Sequence, residues 1–175
     1  MHGTTVLALR HCGRTAVAGD GQVTLHDRVL KQRARKVRRI YNDRIVVGFA
    51  GATADALSLS ERLQEKLERY NGNLPRAAAE LARDWRTDKV LRRLEAVMVA
   101  ADEAHLYVLS GSGDVIEPDE GVIGIGSGGA AAQAAAVALM RHSDLDARRI
   151  AEEAVRIAAG ICIYTNEAVT VEEIG

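Results

Sequence analysis

The chain has 175 residues, of which 47% are hydrophobic, 3% aromatic and 27% charged, and its formal net charge is −1. This length suits one domain that buries most of its apolar surface, and the small net charge argues against a general binder of nucleic acid. Two cysteines are too few for a disulfide framework, and neither a signal peptide nor a long apolar stretch is present, so we expect a cytoplasmic protein without membrane contact.

Two threonines, Thr4 and Thr5, open the first apolar segment. A threonine that becomes the first residue of a chain carries its own general base, the free α-amine, within reach of its hydroxyl. Removal of residues 1–3 would therefore make Thr4 a self-contained nucleophile and base. The alternative is that both threonines are β-formers at the start of an ordinary strand, and on these two residues alone that alternative is favoured.

Residues 5–10 and 15–18 have the composition of two strands, and the turn between them predicts a β-hairpin. Asp20 follows between two glycines, which either present its carboxylate at the strand end or form a turn that the carboxylate itself stabilises. Residues 23–30 predict a further extended pair with a turn in its middle. The N-terminal part of the chain is therefore expected to be β-structure.

A basic run follows, with six lysines and arginines between residues 31 and 39. Such a run is typical of a solvated edge strand, and nucleic-acid contact is the alternative, although few aromatic residues accompany it. Residues 45–51 form a near-continuous apolar segment, which is typical of a strand buried on both faces. Gly48 lies within this strand and indicates either tight packing or the close approach of a ligand.

Two amphipathic helices are predicted next. Leucines and alanines recur at three- and four-residue spacing between residues 52 and 70, and an Asn-Gly-Asn turn ends this helix. Pro75 suits the first turn of the second helix, which carries Trp85 on its apolar face. Short strands are then predicted at 97–101, 105–110 and 115–116.

Residues 124–129 match G-x-G-x-x-G, the pattern that binds dinucleotides. That pattern requires a βαβ unit, whereas here a helix at 130–142 leads directly into another at 147–159, so the sequence argues against a nucleotide site. The glycines instead present Ser127 and backbone N–H groups at a helix N-terminus, where negative charge is stabilised. A last strand is predicted at 169–171.

The order of elements is strands, two helices, strands, two helices and a strand, which suggests paired antiparallel sheets covered by helices. Over essentially its whole length the chain resembles the HslV (ClpQ) family of proteasome-like peptidases, which are N-terminal-nucleophile hydrolases. The motifs that carry this resemblance occur in order: T-T-x-L at the N-terminus, G-D-G-Q at 19–22, R-K-V-R-R at 35–39, G-F-A-G at 48–51, D-W-R-T-D at 84–88, G-S-G-G at 126–129 and I-C-I-Y-T-N at 161–166.

The resemblance implies an α+β fold, a four-layer αββα sandwich of two antiparallel sheets flanked by helix pairs. It implies a short propeptide at 1–3 and a single peptidase domain at 4–175. It also implies a homo-oligomer of two stacked six-membered rings, and an HslU-type ATPase that delivers unfolded protein substrates. This chain has no G-x-x-x-x-G-K-[ST] sequence and is expected to bind no ATP itself.

The resemblance makes Thr4 the nucleophile and places Asp20, Lys36, Gly48 and Ser127 at the other active-site positions. A nearby ammonium such as that of Lys36 would favour the neutral, basic form of the α-amine, and Asp20 would hold that ammonium in place. The Gly48 N–H would stabilise the oxyanion, and Ser127 would orient the amine. An inactive ring subunit is the alternative, but it would be expected to lose Thr4 or Lys36.

The family also binds a monovalent cation, usually sodium, through backbone carbonyl groups in and just before the I-C-I-Y-T segment. The matching positions are Ala159, Cys162 and Thr165. Family members commonly have glycine where this chain has Ala159, and the difference matters only if the site requires a positive φ angle.

The start of the chain departs from the family pattern, because most relatives begin Met-Thr-Thr. Here His2 and Gly3 stand between Met1 and Thr4. A Gly-Thr junction resembles the self-cleavage site of proteasome β subunits, so we predict autocatalytic cleavage between Gly3 and Thr4. The precursor should be inactive, since its Thr4 nitrogen is an amide and not a base.

Overall fold

The computed structural model describes residues 3–175. Of the predicted propeptide, Met1 and His2 therefore lie outside the described residues. The described chain forms strands β1 Thr5–His11, β2 Arg14–Gly19, β3 Val23–Leu25, β4 Arg28–Lys31, β5 Val37–Ile40, β6 Ile45–Gly51, β7 Ala96–Ala101, β8 Leu106–Ser110, β9 Val115–Ile116, β10 Val122–Gly126 and β11 Thr170–Ile174. It forms helices α1 Thr53–Arg69, α2 Leu74–Thr87, α3 Gly129–His142 and α4 Ala147–Ala159, with a 3-10 turn at Leu91–Arg93.

Two main sheets are present. One has the strand order β10-β1-β2-β11 and the other the order β5-β6-β7-β8-β9, while β3 and β4 form a separate hairpin. Every strand pair between residues 3 and 175 is antiparallel. The glycine-rich segment at 124–129 therefore belongs to no βαβ unit of the described chain.

The side chains of successive strand residues divide between two cores. In β1, Val6 and Ala8 point into the core between the two sheets, whereas Leu7 and Leu9 point to the helices. Because both faces are buried, the strand is apolar throughout and shows only a weak alternation in the sequence.

The helices cover the outer faces of the sheets in pairs. Helices α1 and α2 pack on the five-stranded sheet through residues such as Leu63 and Trp85, and α3 and α4 pack on the four-stranded sheet through Ala136 and Ile150. The predicted four-layer αββα sandwich is confirmed. A core rich in alanine and valine allows these layers to approach closely.

The helix ends follow the expected local chemistry. The Asn73 side chain accepts a hydrogen bond from the Arg76 N–H, and Pro75 lies in the first turn of α2, as predicted. Asp146 caps α4 in the same way, through the Arg149 N–H. No helix among residues 3–175 has both the length and the apolar composition that crossing a membrane requires.

The basic run is a strand only in its second half. Strand β5 begins at Val37, whose side chain is fully buried between the sheets, and residues 32–36 form an irregular segment before it. The run at 31–39, which was predicted as one edge strand, is therefore divided between the end of β4, this irregular segment and β5. The final strand extends to Ile174, beyond the predicted 169–171.

Candidate active site

A cleft with a volume of about 660 Å³ opens beside the start of β1. The residues that line it come from segments far apart in sequence, which the two sheets bring together at one end. They are Gly3, Thr4, Val23, Thr24, Lys31, Ala34, Arg35, Lys36, Arg38, Phe49, Ala50, Gly51, Ala52, Thr53, Ala56, Gly126, Ser127 and Tyr164.

Thr4 lies in this cleft, immediately before β1. Its N–H donates a hydrogen bond to Ser127 Oγ at 3.2 Å, and Ser127 Oγ donates to the Thr4 carbonyl at 3.3 Å. The pairing of Thr5 with Gly126 in neighbouring strands fixes this arrangement. Ser127 therefore contacts the Thr4 nitrogen, the atom predicted to become the α-amine.

Lys36 and Asp20 form a buried ion pair next to Thr4. Lys36 Nζ lies 2.7 Å from Asp20 Oδ1, and the side chains are 9% and 0% exposed. Burial lowers the pKa of Lys36 below its ordinary value, although the attraction of Asp20 partly offsets this effect. Lys36 Nζ also donates to the Gly3 carbonyl at 3.2 Å.

The Asp20 carboxylate is held by backbone groups as well as by the lysine. It accepts hydrogen bonds from the N–H groups of Thr5 at 2.9 Å, Gln22 at 3.1 Å and Asn166 at 3.2 Å. These donors compensate the loss of water around a fully buried charge. The carboxylate is thus fixed in a position where it orients Lys36.

Gly48 is not among the residues that line the cleft, and its role as the oxyanion donor stays a prediction. A side chain at this position would meet Val6 Cγ1 at 2.7 Å and Val99 Cγ2 at 3.1 Å, so the glycine is required for packing between the sheets. The neighbouring Phe49 N–H donates to the Lys36 carbonyl. Because successive N–H groups of a strand point in opposite directions, that of Gly48 points to Val99 of β7.

Gly51, at the other end of the same G-F-A-G motif, does line the cleft. Gly51 pairs with Ala96 of β7. The N–H groups of a strand alternate in direction, so the Gly51 N–H, three residues after that of Gly48, points away from β7. Its φ angle of 145° is one that residues other than glycine rarely adopt. The resemblance assigned the oxyanion position to Gly48 and not to Gly51.

Gly3 also contacts the side chains of Thr4 and Lys36. Its φ angle is 111°, and a Cβ atom at this position would lie 2.5 Å from Tyr164 Cβ. Thr4 Oγ1 donates a hydrogen bond to the Gly3 carbonyl at 2.8 Å, on the same oxygen that accepts from Lys36. The backbone conformation and the close contact with Tyr164 both require glycine at this position.

Of the three residues predicted to bind sodium, Ala159 is the last residue of α4, and Cys162 and Thr165 lie in the loop after it. The Cys162 carbonyl accepts the Thr165 N–H at 3.1 Å and retains a second lone pair. Ala159 lies inside the helix and has no positive φ angle, so alanine replaces the usual glycine without strain. Carbonyl groups at the negative end of a helix dipole suit a monovalent cation.

The Cys162 side chain faces the site, which the sequence reasoning did not anticipate. Its Sγ lies 3.6 Å from Ser127 Oγ. Burial alone would raise the pKa of this thiol, but hydrogen bonding with Thr165, Ser127 and the backbone of Tyr164 lowers it below the ordinary value. The Thr165 hydroxyl also contacts that of Thr5 at 2.6 Å.

The arrangement is that of an N-terminal-nucleophile hydrolase with a threonine nucleophile. The model of the Proteasome family, described as proteasome subunit, matches residues 1–174, and the chain belongs to this family. It is a proteasome-like threonine peptidase.

The chain is similar to proteins named "ATP-dependent protease subunit HslV". It is 60% identical to the one from Syntrophobacter fumaroxidans, over 99% of this chain and 97% of the relative, and 57% identical to the one from Aquifex aeolicus, over 98% and 97%. Among solved structures, HslV from Trypanosoma brucei has a TM-score of 0.92 at 46% identity, with 98% of this chain and 99% of that chain covered. The structure called Thiobacillus denitrificans BPH has a TM-score of 0.73 at 18% identity over 98% and 97% of the two chains, and shows a shared fold only.

Proposed function

We propose that Thr4, with its α-amine free, cleaves peptide bonds through an acyl-enzyme intermediate. The Thr4 hydroxyl attacks the substrate carbonyl while the α-amine takes its proton, and the amine then returns a proton to the leaving nitrogen. Water hydrolyses the resulting ester with the same amine as base. One observation carries this proposal. The Thr4 nitrogen contacts Ser127 Oγ, and the Lys36–Asp20 ion pair lies beside the same residue.

The charge of Lys36 has two consequences in this mechanism. It disfavours protonation of the neighbouring α-amine, which therefore stays in its basic form. It also attracts negative charge that develops near the position now held by the Gly3 carbonyl. For the oxyanion itself we propose the Gly51 N–H as a donor, because that group points away from β7 at the cleft wall, whereas the Gly48 N–H is directed into the sheet.

We further propose that the bond between Gly3 and Thr4 is cleaved by the chain itself. Thr4 Oγ attacks the Gly3 carbonyl carbon, the C–N bond breaks, and the nitrogen leaves as the α-amine, so the peptide becomes an ester that water hydrolyses. Two observations support this step: the Thr4 hydroxyl donates to the Gly3 carbonyl oxygen, and Lys36 donates to the same oxygen and polarises the carbonyl group.

The proposal also covers the oligomer, its partner and its location in the cell. We propose a homo-oligomer of two six-membered rings that works with an HslU-type ATPase on unfolded proteins in the cytoplasm. The name and the near-complete coverage of the HslV relatives support the partner and the oligomer. We also propose that sodium binds the carbonyl groups of Ala159, Cys162 and Thr165, so that peptidase activity depends on the monovalent cation supplied.

A threonine-directed epoxyketone or vinyl sulfone tests the central proposal. We expect covalent mass on the peptide that begins with Thr4, and Thr4→Ala should abolish labelling and lower kcat at least about 10³-fold, since it removes the nucleophile. Thr87→Ala is the matched control, because that threonine only bonds the Arg83 carbonyl at the end of α2. Labelling elsewhere, or an active Thr4→Ala enzyme, would contradict the assignment.

A further inference from the structure

Asn166 joins three segments of the site through four hydrogen bonds. Its backbone N–H donates to Asp20 Oδ2 at 3.2 Å. Its side-chain oxygen accepts from the N–H groups of Gly21 at 2.9 Å and Ala168 at 3.2 Å. Its side-chain nitrogen donates to the Gln32 carbonyl at 2.8 Å. Asn166 itself is half-buried and does not line the cleft.

The two segments that Asn166 connects carry the two members of the ion pair. Gly21 directly follows Asp20, and the segment that contains Gln32 leads to Lys36 four residues later. The segments also contact each other, since the Ala34 N–H donates to the Gly21 carbonyl at 2.8 Å. A side chain on Gly21 would overlap the Gln32 carbonyl and lie 3.0 Å from Arg33 Cα.

We propose that Asn166 is a positioning residue for the Lys36–Asp20 pair: it fixes the distance between the turn that carries Asp20 and the segment that leads to Lys36. The inference rests on the proposed function. Asn166 touches neither Thr4 nor the cleft and acts only through the ion pair, whose 2.7 Å contact depends on the relative position of the two segments.

An amide suits this position better than other side chains of similar size. It must accept a hydrogen bond from Gly21 and donate one to Gln32 at the same time, and asparagine is the short side chain with both groups in one plane. Aspartate at the same position would still accept from Gly21. It would, however, place a negative oxygen against the Gln32 carbonyl, and this repulsion would separate the two segments.

Steady-state kinetics of Asn166→Ala and Asn166→Asp, with a fluorogenic peptide, test the proposal. Both variants should lower kcat between about 10- and 100-fold with little change in KM, because misplaced catalytic groups slow the chemistry more than the binding. In Asn166→Ala the alkaline limb of the kcat profile should also move to lower pH, since a more distant Asp20 stabilises the Lys36 charge less. Asp20 and Cys162 are the titratable groups that act on Lys36.

Asn73→Ala is the matched control, since it removes a helix-capping hydrogen bond of 3.1 Å far from the site. It should lower the melting temperature while kcat and its pH profile stay unchanged. If Asn166→Ala and Asn166→Asp also changed only the melting temperature, the positioning role would be refuted. That result differs from a failure of the proposed function, in which the wild-type protein itself would cleave no peptide and carry no label at Thr4.

Discussion

At the scale of single residues, the site depends on charges that are buried and fully bonded. Asp20 is completely buried, yet three backbone N–H groups and Lys36 satisfy its carboxylate. Lys36 therefore carries a positive charge whose position cannot vary much, 3.2 Å from the Gly3 carbonyl oxygen. In the proposed mechanism, the reactivity of Thr4 depends on this fixed neighbour as well as on the threonine itself.

The lowered pKa of Lys36 predicts the alkaline limit of activity. We expect kcat to fall as the pH rises at values below 10.5, the ordinary value for lysine, because the deprotonated amine no longer polarises the carbonyl. Unfolding does not explain such a loss. The folded state releases the Lys36 proton at a lower pH than the unfolded chain does. Between the two pKa values, Lys36 therefore makes the free energy of unfolding rise with pH. Kinetics and circular dichroism over pH 7–11, an interval set by the lysine range, separate a loss of kcat from a loss of folded structure. A kcat that stayed constant beyond pH 10.5 would contradict the prediction.

Gly3 provides a second prediction at this scale. Gly3→Ala should slow cleavage of the 3–4 bond about 100-fold, because the new Cβ would overlap Tyr164 and the φ angle of 111° is unfavourable for alanine. Intact-mass measurements during expression give the processed fraction. As a control, protein that begins with Thr4 after enzymatic removal of a leader should be fully active, whether that leader ended in glycine or alanine. Rapid processing of Gly3→Ala would refute the argument.

At the scale of secondary-structure elements, β6 performs two functions with one motif. Gly48 lets the two sheets approach, and Gly51, three residues later, faces the cleft at the end of the strand. An odd separation along a strand turns the two N–H groups in opposite directions. One strand therefore contributes both to the inter-sheet core and to the wall of the active site.

Gly48→Ala tests the packing role of Gly48. We expect the free energy of unfolding to fall by about 1–3 kcal/mol, because the added methyl group overpacks against Val6 and Val99. The kcat of the folded fraction should stay nearly unchanged. Urea denaturation measures the first effect, and Val6→Ala in the same chain should restore part of the loss. A large fall in kcat without destabilisation would contradict the packing role and support the predicted role of Gly48 as the oxyanion donor.

The sequence predicts the elements better than the contacts between them. The period of the apolar residues fixes the two helix pairs, and the glycines around Asp20 correctly indicate a carboxylate at a strand end. The choice between Gly48 and Gly51 depends on the pairing of β6 with its two neighbours, which the motif does not contain. Asn166 could not be assigned from sequence, because its partner Gly21 lies 145 residues away and contributes only a backbone atom.

At the scale of the whole molecule, the sandwich joins segments from both ends of the chain at one cleft. The sequence contains no phosphate-binding loop for ATP, and the strand pairing of residues 3–175 provides no dinucleotide site. The proposed HslU-type partner would supply the energy for unfolding a substrate, whereas the cleavage of a peptide bond requires none.

Purified protein should accordingly cleave short peptides without nucleotide, and added ATP should leave the rate unchanged. A folded substrate should remain intact under the same conditions, because it cannot place an extended segment in the cleft. Fluorogenic-peptide assays and gel analysis of a folded protein measure the two outcomes. Stimulation by ATP in the absence of any other protein would show a nucleotide site that neither the sequence nor the described structure contains.

The position of the Gly3 carbonyl, between the Thr4 hydroxyl and the Lys36 ammonium, has a consequence for the quality of the mature enzyme. In the proposed self-cleavage, the first acyl group that each molecule processes is its own, and the same side chains are needed for that event as for every later one. A copy with a misfolded or damaged site would then keep its leader and remain inert. Such a maturation step would select competent copies before any foreign polypeptide reaches them.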